Sequence, residues 1–253
     1  MFRPRIIPVL LLRNQGLVKS IRFTHYQYIG DPINAVKIFN DLKADELVFL
    51  DILASRDGRT ISLDFVSKVG EEANMPFSVG GGINSLQNIR EIISAGAEKV
   101  VLNAAAAKNP DLIRQASETF GSSTIVVCMD VKKRFLGRNQ VCISNATKFI
   151  DHSPIEYAQM VEEKGAGEII VQSVDLDGTM KGYDIELIGR ISENVTIPVI
   201  ALGGAGGLND LRNAYINGHA NGLAAGSMFV YYGSRRGVLI NYPDKAELKK
   251  IIQ

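Results

Sequence analysis

The chain has 253 residues, 46% hydrophobic and 22% charged, which is enough apolar material for one large core, so we expect a single domain over residues 1–253. Its 28 basic and 27 acidic residues leave a net charge of +1, which excludes binding of nucleic acid or an anionic membrane through bulk charge. Cys128 and Cys142 suit neither a disulfide framework nor a metal site, and we expect no metal and no cofactor. No apolar run approaches the roughly 20 residues of a membrane helix, and no signal peptide is recognisable, so we expect a cytoplasmic protein.

Short apolar runs of strand type alternate with longer segments of helical period along the whole chain. The predicted strands are Arg5–Leu11, Leu47–Ile52, Pro76–Val79, Lys99–Asn103, Thr124–Val131, Glu168–Ser173, Pro198–Leu202 and Gly222–Ala225. The predicted helices are Pro32–Leu42, Ser62–Ala73, Ser85–Ala95, Pro110–Thr119, Pro154–Lys164, Asp184–Glu193 and Leu208–Ile216. Eight strands with helical connections predict an α/β fold, a parallel (β/α)8 TIM barrel.

The two halves of the chain resemble each other. A glycine run ends the third strand at Gly80–Gly82, and another ends the seventh at Gly203–Gly206, 123 residues later. Glu46 precedes the second strand and Glu168 opens the sixth, 122 residues apart. This period predicts a half-barrel of four strands that is used twice.

Ligands of such barrels bind at the carboxyl ends of the strands, where both glycine runs lie. Glycines there let backbone N–H groups approach an anion closely, and two opposed runs predict a ligand with two phosphate ends. Asn103 after the fourth strand, and Gly226 with Ser227 after the eighth, would complete the two anion sites.

Carboxylates at the strand ends are candidates for acid–base chemistry. Asp51 lies near the end of the second strand, and Asp175 and Asp177 follow the sixth. At such places an aspartate can equally cap the next helix. Asp130 lies in the buried fifth strand, where a carboxylate is costly without a function or a partner, and we favour it as catalytic. The half-barrel shift of 119 residues places Leu11 at the position equivalent to Asp130, so this chain has only one of the two opposed aspartates.

Four charged residues stand at or beside strand starts, at the opposite end of the barrel: Arg5, Glu46, Lys99 and Glu168. They could form a ring of alternating charge, although spacing alone favours ordinary solvated strand starts. Two loops are long. Residues 12–30 could form a lid with cationic groups, and they include Lys19, Arg22, His25, Tyr26 and Tyr28. Residues 132–150 could form a surface hairpin or a substrate flap.

Several segments together resemble the cyclase subunit of imidazole glycerol phosphate synthase over nearly the whole chain. They are Arg5–Pro8, Gly30–Pro32, Asp45–Asp51, Val79–Ile83, Glu98–Val100, Glu118–Ser122, Gly165–Ile169, Asp175–Thr179, Gly182–Asp184 and Gly203–Gly206. The resemblance implies a glutaminase subunit docked at the bottom of the barrel, whose ammonia travels through the barrel to the top.

The resemblance also implies roles for individual residues. An ammonia gate is expected at Arg5, Glu46, Lys99 and Glu168. One phosphate end is expected near Gly82 and Asn103, and the other near Asp177, Gly178, Gly204 and Ser227. Lys19 matches the family's mobile first loop, and Asp51 and Gly226 complete the expected substrate-binding set.

One departure from the family pattern points to a different product. The family's cyclase uses aspartates at the positions of Leu11 and Asp130. Residues 9–19 and 229–243 resemble a divergent branch associated with amidation of bacterial surface or flagellar sugars, which implies a separate ATP-dependent sugar amidotransferase as a further partner. We therefore expect ammonia relay for sugar amidation, with two alternatives: a cyclase that forms imidazole glycerol phosphate, and a non-catalytic ammonia-conduit scaffold.

Overall fold

The computed structural model describes residues 3–233 and 235–252; the expectation of one domain over residues 1–253 stays a prediction, and residues 1, 2, 234 and 253 lie outside the described residues. The strands are β1 (Arg5–Arg13), β2 (Gly16–Ile21), β3 (Thr24–Gly30), β4 (Leu47–Asp51), β5 (Phe77–Gly80), β6 (Lys99–Leu102), β7 (Ile125–Lys133), β8 (Asn139–Ile143), β9 (Lys148–Phe149), β10 (Glu168–Ser173), β11 (Val199–Leu202), β12 (Gly222–Ala225), β13 (Tyr231–Tyr232) and β14 (Gly237–Val238). The α-helices are α1 (Pro32–Asp41), α2 (Leu63–Glu72), α3 (Leu86–Ser94), α4 (Ala104–Lys108), α5 (Asp111–Phe120), α6 (Pro154–Glu163), α7 (Ile185–Ser192), α8 (Leu208–Ile216), α9 (Ser227–Val230) and α10 (Lys245–Ile252).

Eight of the strands form a closed parallel barrel. Its order is β1, β4, β5, β6, β7, β10, β11 and β12, and β12 pairs with β1 to close the ring. Every neighbouring pair around the barrel is parallel. Helices connect the successive barrel strands, so the predicted (β/α)8 barrel is confirmed.

The helices begin where the sequence provides capping groups. Ser62, Ser85 and Ser153 each accept a hydrogen bond from a backbone N–H in the first turn of the following helix, and Asp31 and Asp184 do the same. The apolar face of each helix then packs on the outside of the barrel, in a core that includes Phe39, Phe49 and Ile89.

A second, smaller core fills the inside of the barrel. It consists of alternate strand residues that point inward, among them Ile7, Val48, Val126, Ile170 and Ile200. These side chains occupy the middle of the barrel and separate its two ends. No helix among the described residues has the length and hydrophobicity needed to cross a membrane.

Both long loops contain strands. Residues 12–30, for which the sequence suggested a lid, extend β1 and turn into the antiparallel hairpin β2–β3. Residues 132–150 extend β7 into β8 and β9, which is the surface hairpin of our two alternatives. Because β1 and β7 are equivalent in the half-barrel repeat, the two hairpins are equivalent extensions of the two halves.

Some elements were absent from the sequence prediction. The short helices α4 and α9 follow Asn103 and Gly226 at equivalent places in the two halves, and α10 ends the described chain. The strands β13 and β14 form a small separate hairpin. The apolar patterns of these five elements are too short for periodicity to reveal a helix or a strand.

Candidate functional site

A cavity of about 900 Å³ opens at the carboxyl ends of the barrel strands. Its lining contains every residue of the predicted substrate-binding set together with the predicted catalytic carboxylate. These are Lys19, Asp51, Gly82, Asn103, Asp130, Asp177, Gly178, Gly204, Gly226 and Ser227. Residues from all parts of the chain therefore meet at one place, which is the end of the barrel where the fold class positions its chemistry.

The two glycine turns have the same construction. Gly82 has φ +69°, and a Cβ there would collide with the carbonyl oxygen of Arg59. Gly204 has φ +109°, and a Cβ there would collide with the carbonyl oxygen of Gly182. Only glycine fits either position, because both need a positive φ and a close approach of two backbones. The turns thus place bare backbone in the cavity wall, as an anion site requires.

Asp130 is only 8% exposed, in β7. Asn103 Nδ2 donates to Asp130 Oδ2 at 3.0 Å, and the Cys128 thiol lies 3.8 Å from Asp130 Oδ1. Burial raises the pKa of Asp130 to about 7, although the hydrogen bond from Asn103 opposes the shift; the charge of Asp177 raises it further. A carboxyl with a pKa near neutrality can both donate and accept a proton.

Lys19 is buried in β2, whereas we expected it in a mobile loop. Its Nζ donates to the carbonyl oxygen of Val9 at 2.5 Å. Burial lowers the pKa of Lys19 to about 8, and the charge of Asp177 opposes this shift. Asp177 in turn accepts a hydrogen bond from Ser20 Oγ at 2.7 Å, and burial raises the pKa of Asp177. The lysine is therefore held in the cavity wall by the hairpin.

Asp51 lines the cavity, but its carboxylate already has partners. It accepts hydrogen bonds from the backbone N–H groups of Leu53 and Ala54 at 3.0 and 3.1 Å. It also forms an ion pair with Arg59 at 2.6 Å. Asp51 therefore stabilises the turn after β4, while Ser62 caps the next helix, so the helix-cap alternative for Asp51 is wrong. Its part in substrate binding stays a prediction.

Leu11 occupies the place equivalent to Asp130 and also lines the cavity. Leu11 lies between Leu50 of β4 and Val18 of β2, while Asp130 lies between Gln172 of β10 and Cys142 of β8. The half-barrel pairing is thus the same on both sides. Of these two equivalent positions, only that of Asp130 carries a group that can transfer a proton.

At the other end of the barrel the four charged residues form a closed ring. Arg5 contacts Glu46 at 2.5 Å and Glu168 at 2.8 Å, and Lys99 contacts Glu168 at 3.0 Å and Glu46 at 3.6 Å. Ser78 Oγ also donates to Glu46, at 3.0 Å. The interpretation that spacing favoured, separate solvated strand starts, is wrong, because all four side chains turn inward and pair with one another. We call this set the charged ring.

Burial and pairing act together on the charged ring. Burial favours a neutral Arg5, but the charges of Glu168 and Glu46 outweigh it and raise the pKa of Arg5. Glu168 Oε2 is buried and has no hydrogen-bond partner among the described residues. Three of the four side chains are less than a fifth exposed, and Arg5, at 31%, is the most exposed.

Sequence reasoning missed Arg13 and named Tyr26 only as a member of the lid segment; both residues line the cavity. The guanidinium of Arg13 stacks over the Tyr26 ring at 4.9 Å from its centroid. The alternation of β1 could have revealed Arg13, which lies two residues after Leu11 on the same face. Tyr26 could not have been found this way, because it reaches the site only through the fold of β2–β3.

His25, His152 and His219 are all exposed. Cys128 and Cys142 are free and buried. In the part of the chain that the structure describes, no group of three or more His, Cys, Asp or Glu side chains is arranged to hold a metal ion.

Comparison with known proteins identifies the family. Residues 5–235 match the family described as "Histidine biosynthesis protein". The chain is 45% identical to "Putative imidazole glycerol phosphate synthase subunit hisF2" of Pseudomonas aeruginosa over 98% of this chain and 99% of the relative. It is 44% identical to "Imidazole glycerol phosphate synthase subunit HisF" of Alkaliphilus metalliredigens over 91% of this chain and 92% of the relative. The chain therefore belongs to the histidine biosynthesis protein family and is similar to the cyclase subunits of imidazole glycerol phosphate synthase.

Proposed function

We propose that this chain is the synthase-like subunit of a glutamine amidotransferase complex. A glutaminase partner docks at the charged-ring end, and its ammonia passes through the barrel to the cavity. The order of environments along the barrel supports this path. The charged ring is followed by uncharged side chains such as Ile7, Val48 and Ile170, and then by the cavity. An apolar interior favours neutral ammonia over ammonium, because burying an unpaired charge is costly.

In this proposal the charged ring is the gate. Its ion pairs span the bottom of the barrel, so that ammonia enters only when at least one pair opens. Arg5 is the most exposed member and contacts both glutamates, at 2.5 and 2.8 Å. A partner that docks on this end reaches Arg5 first and can draw it away from the barrel axis.

We propose further that the ammonia serves amidation of a sugar. A separate ATP-dependent amidotransferase would activate a sugar carboxyl or acetamido carbon, and attack by ammonia would give an amide or an acetamidine. One observation carries this choice over cyclisation, namely Leu11 at the position equivalent to Asp130. A hydrocarbon side chain transfers no proton, and loss of one acid–base group commonly costs about 10²–10⁴-fold in rate.

A second candidate is cyclase activity carried by Asp130 alone. The pKa of about 7 for Asp130 favours it, since this carboxyl is poised for proton transfer near neutral pH. The two glycine turns also favour it, because they suit a ligand with a phosphate at each end. Both candidates share the barrel and the ammonia path, and they differ in what happens at the cavity.

An ammonia-dependent cyclase assay separates the two candidates. The purified chain is mixed with excess ammonium salt and the family's phosphoribulosyl aminoimidazole carboxamide substrate, and imidazole glycerol phosphate is measured. We expect no turnover from the wild-type chain and measurable turnover from Leu11→Asp, at least about 10²-fold above the wild type. Leu11→Asn is the matched control, since it is polar and of the same size but transfers no proton, and it should stay inactive.

If the wild-type chain turned over at the level of Leu11→Asp, the relay proposal would be contradicted. The chain would then be a cyclase that forms imidazole glycerol phosphate. The relay is tested positively by reconstitution with the glutaminase, the sugar amidotransferase, ATP and glutamine labelled with ¹⁵N in its amide group. We expect the label in the sugar product even when unlabelled ammonium is present in the solvent. Label that is fully diluted by this ammonium, or no product of any kind, would overturn the relay and favour a scaffold.

A further inference from the structure

The cavity has an excess of positive charge, because five cationic side chains and three carboxylates line it. Three of the cations have partners within the chain: Lys19 donates to a carbonyl oxygen, Arg59 pairs with Asp51, and Arg56 pairs with Asp57. The two others are Lys108 and Arg13. Lys108 is exposed, so that water satisfies it. Arg13 is partly buried, and its situation is different.

The guanidinium of Arg13 lies in the cavity wall and has no acceptor among the described residues. Its Nε is buried and has no hydrogen-bond partner, and Arg13 takes part in none of the ion pairs found among residues 3–233 and 235–252. A buried donor to which nothing is bonded destabilises the protein. Such a group is expected where a ligand supplies the missing acceptor.

Tyr26 holds Arg13 in place. The Tyr26 hydroxyl donates to the carbonyl oxygen of Phe23 at 2.7 Å and lies 3.4 Å from Asn145 Oδ1, in the turn between β8 and β9. The ring is therefore fixed between the two hairpins, and the guanidinium lies over its face. Stacking covers only the face of a guanidinium, so that the two Nη groups of Arg13 can present an N–H fork that matches the two oxygens of a carboxylate or a phosphate.

Leu11 removes the nearest place for an internal partner. Leu11 and Arg13 lie on the same face of β1, two residues and about 7 Å apart along the strand, and both line the cavity. An aspartate at position 11 would place a carboxylate within reach of the guanidinium. With leucine there, Arg13 keeps its charge available to a ligand.

We propose that Arg13 binds an oxyanion of the cavity's ligand, a carboxylate or a phosphate, at a site separate from the two glycine turns. The ligand class is thus a small acidic metabolite, such as a sugar phosphate that carries a second anionic group. This site does not depend on the ammonia path, and the two proposals can fail separately.

The test compares three probes by isothermal titration calorimetry. Glucose 1-phosphate has one anionic group, glucuronic acid 1-phosphate adds a carboxylate, and glucose 1,6-bisphosphate adds a second phosphate. In the wild-type chain we expect at least one added group to tighten binding by about tenfold, the size expected for hydrogen bonds to a charged partner. The probe that binds more tightly than glucose 1-phosphate shows whether the site binds a carboxylate, a phosphate or both. We call this increase in affinity the gain.

Arg13→Gln should abolish this gain and leave the affinity for glucose 1-phosphate within twofold of the wild type. Arg13→Lys should retain part of the gain for phosphate and less for carboxylate, because lysine has no fork. Arg56→Gln is the matched control: Arg56 lines the same cavity but is 71% exposed and paired with Asp57, and its loss should leave the gain intact.

Leu11→Asp gives an independent test that leaves Arg13 in place. It should abolish the gain as Arg13→Gln does, because the new carboxylate takes the guanidinium, while Leu11→Asn should retain most of it. The proposal is overturned if the wild-type chain shows no gain or binds none of the probes. It is equally overturned if Arg13→Gln keeps the gain, or weakens all three probes alike.

Discussion

The two ends of the barrel treat buried charge in opposite ways. At the charged ring, each cation contacts both glutamates and each glutamate contacts both cations, so that the positive and negative groups neutralise one another. At the cavity, Asp130 has a pKa of about 7, Lys19 has a pKa of about 8, and Arg13 has no acceptor in the part of the chain that the structure describes. The difference shows that one end is closed by its own residues, while the other leaves charge available for a ligand and for proton transfer.

The most direct way to break this comparison is to remove one charge from the ring. Lys99→Met roughly keeps the volume of the side chain but leaves Glu168 and Glu46 buried, with Arg5 as the remaining cation that pairs with them among the described residues. We expect about 3 kcal/mol of destabilisation in urea unfolding, because loss of one partner leaves an uncompensated buried charge. In the reconstituted complex, we also expect glutamine hydrolysis to become uncoupled from amidation.

Lys68→Met is the control for the stability measurement. Lys68 pairs with Asp64 on the surface of α2, where both side chains are more than half exposed, and its loss should leave the free energy of unfolding nearly unchanged. Equal effects of the two substitutions on the free energy of unfolding would mean that the charged ring is an ordinary surface network.

The cavity end should respond to pH through Asp130. Its pKa rises from 3.8 in the unfolded chain to about 7 in the folded one, so the folded protein binds one more proton between these values. The stabilising effect of the neutral carboxyl is complete below pH about 4 and is lost as the pH rises to about 7. Asp130→Asn, which cannot ionise, should therefore be more stable than the wild type at pH 8, by about 4 kcal/mol.

Below pH about 4 the two proteins should have equal stability, since both then carry a neutral side chain at this position. The measurement is urea unfolding at a series of pH values, with the difference between the two proteins plotted against pH. A difference that does not change between pH 4 and pH 8 would show that Asp130 is ionised throughout and balanced by a partner, as the charged ring is.

The smallest effect is expected at the backbone of the cavity wall. Gly204→Ala should destabilise the protein by about 2 kcal/mol, because alanine at φ +109° is strained and its Cβ meets the carbonyl oxygen of Gly182. Gly207→Ala should cost less than about 1 kcal/mol, since its backbone is extended and the new Cβ meets no atom. Thermal unfolding of both variants checks this contrast, and similar losses would contradict the tight turn.

The sequence by itself determined the architecture and the two ends of the barrel. Alternation of strands and helices gives the barrel because each element carries its own hydrophobic period, which is a local property. Glycine runs at the strand ends likewise mark Gly82 and Gly204, since a positive φ restricts the residue at that one position. The buried run around Asp130 was enough to select this carboxylate, because an isolated charge there is costly.

Only the tertiary structure decided which charges find partners. Glu46 and Glu168 are 122 residues apart, and they meet around Arg5 and Lys99 only because the barrel closes. Arg59 forms an ion pair with Asp51, whereas Arg13 stacks on the ring of Tyr26 and forms no ion pair with any described residue. Pairing depends on distances of a few ångströms between segments that are distant in sequence, and burial then sets its energy. Composition and spacing contain neither the distances between these segments nor the burial of their side chains. A local pattern could therefore name the charged residues but not their partners or their protonation.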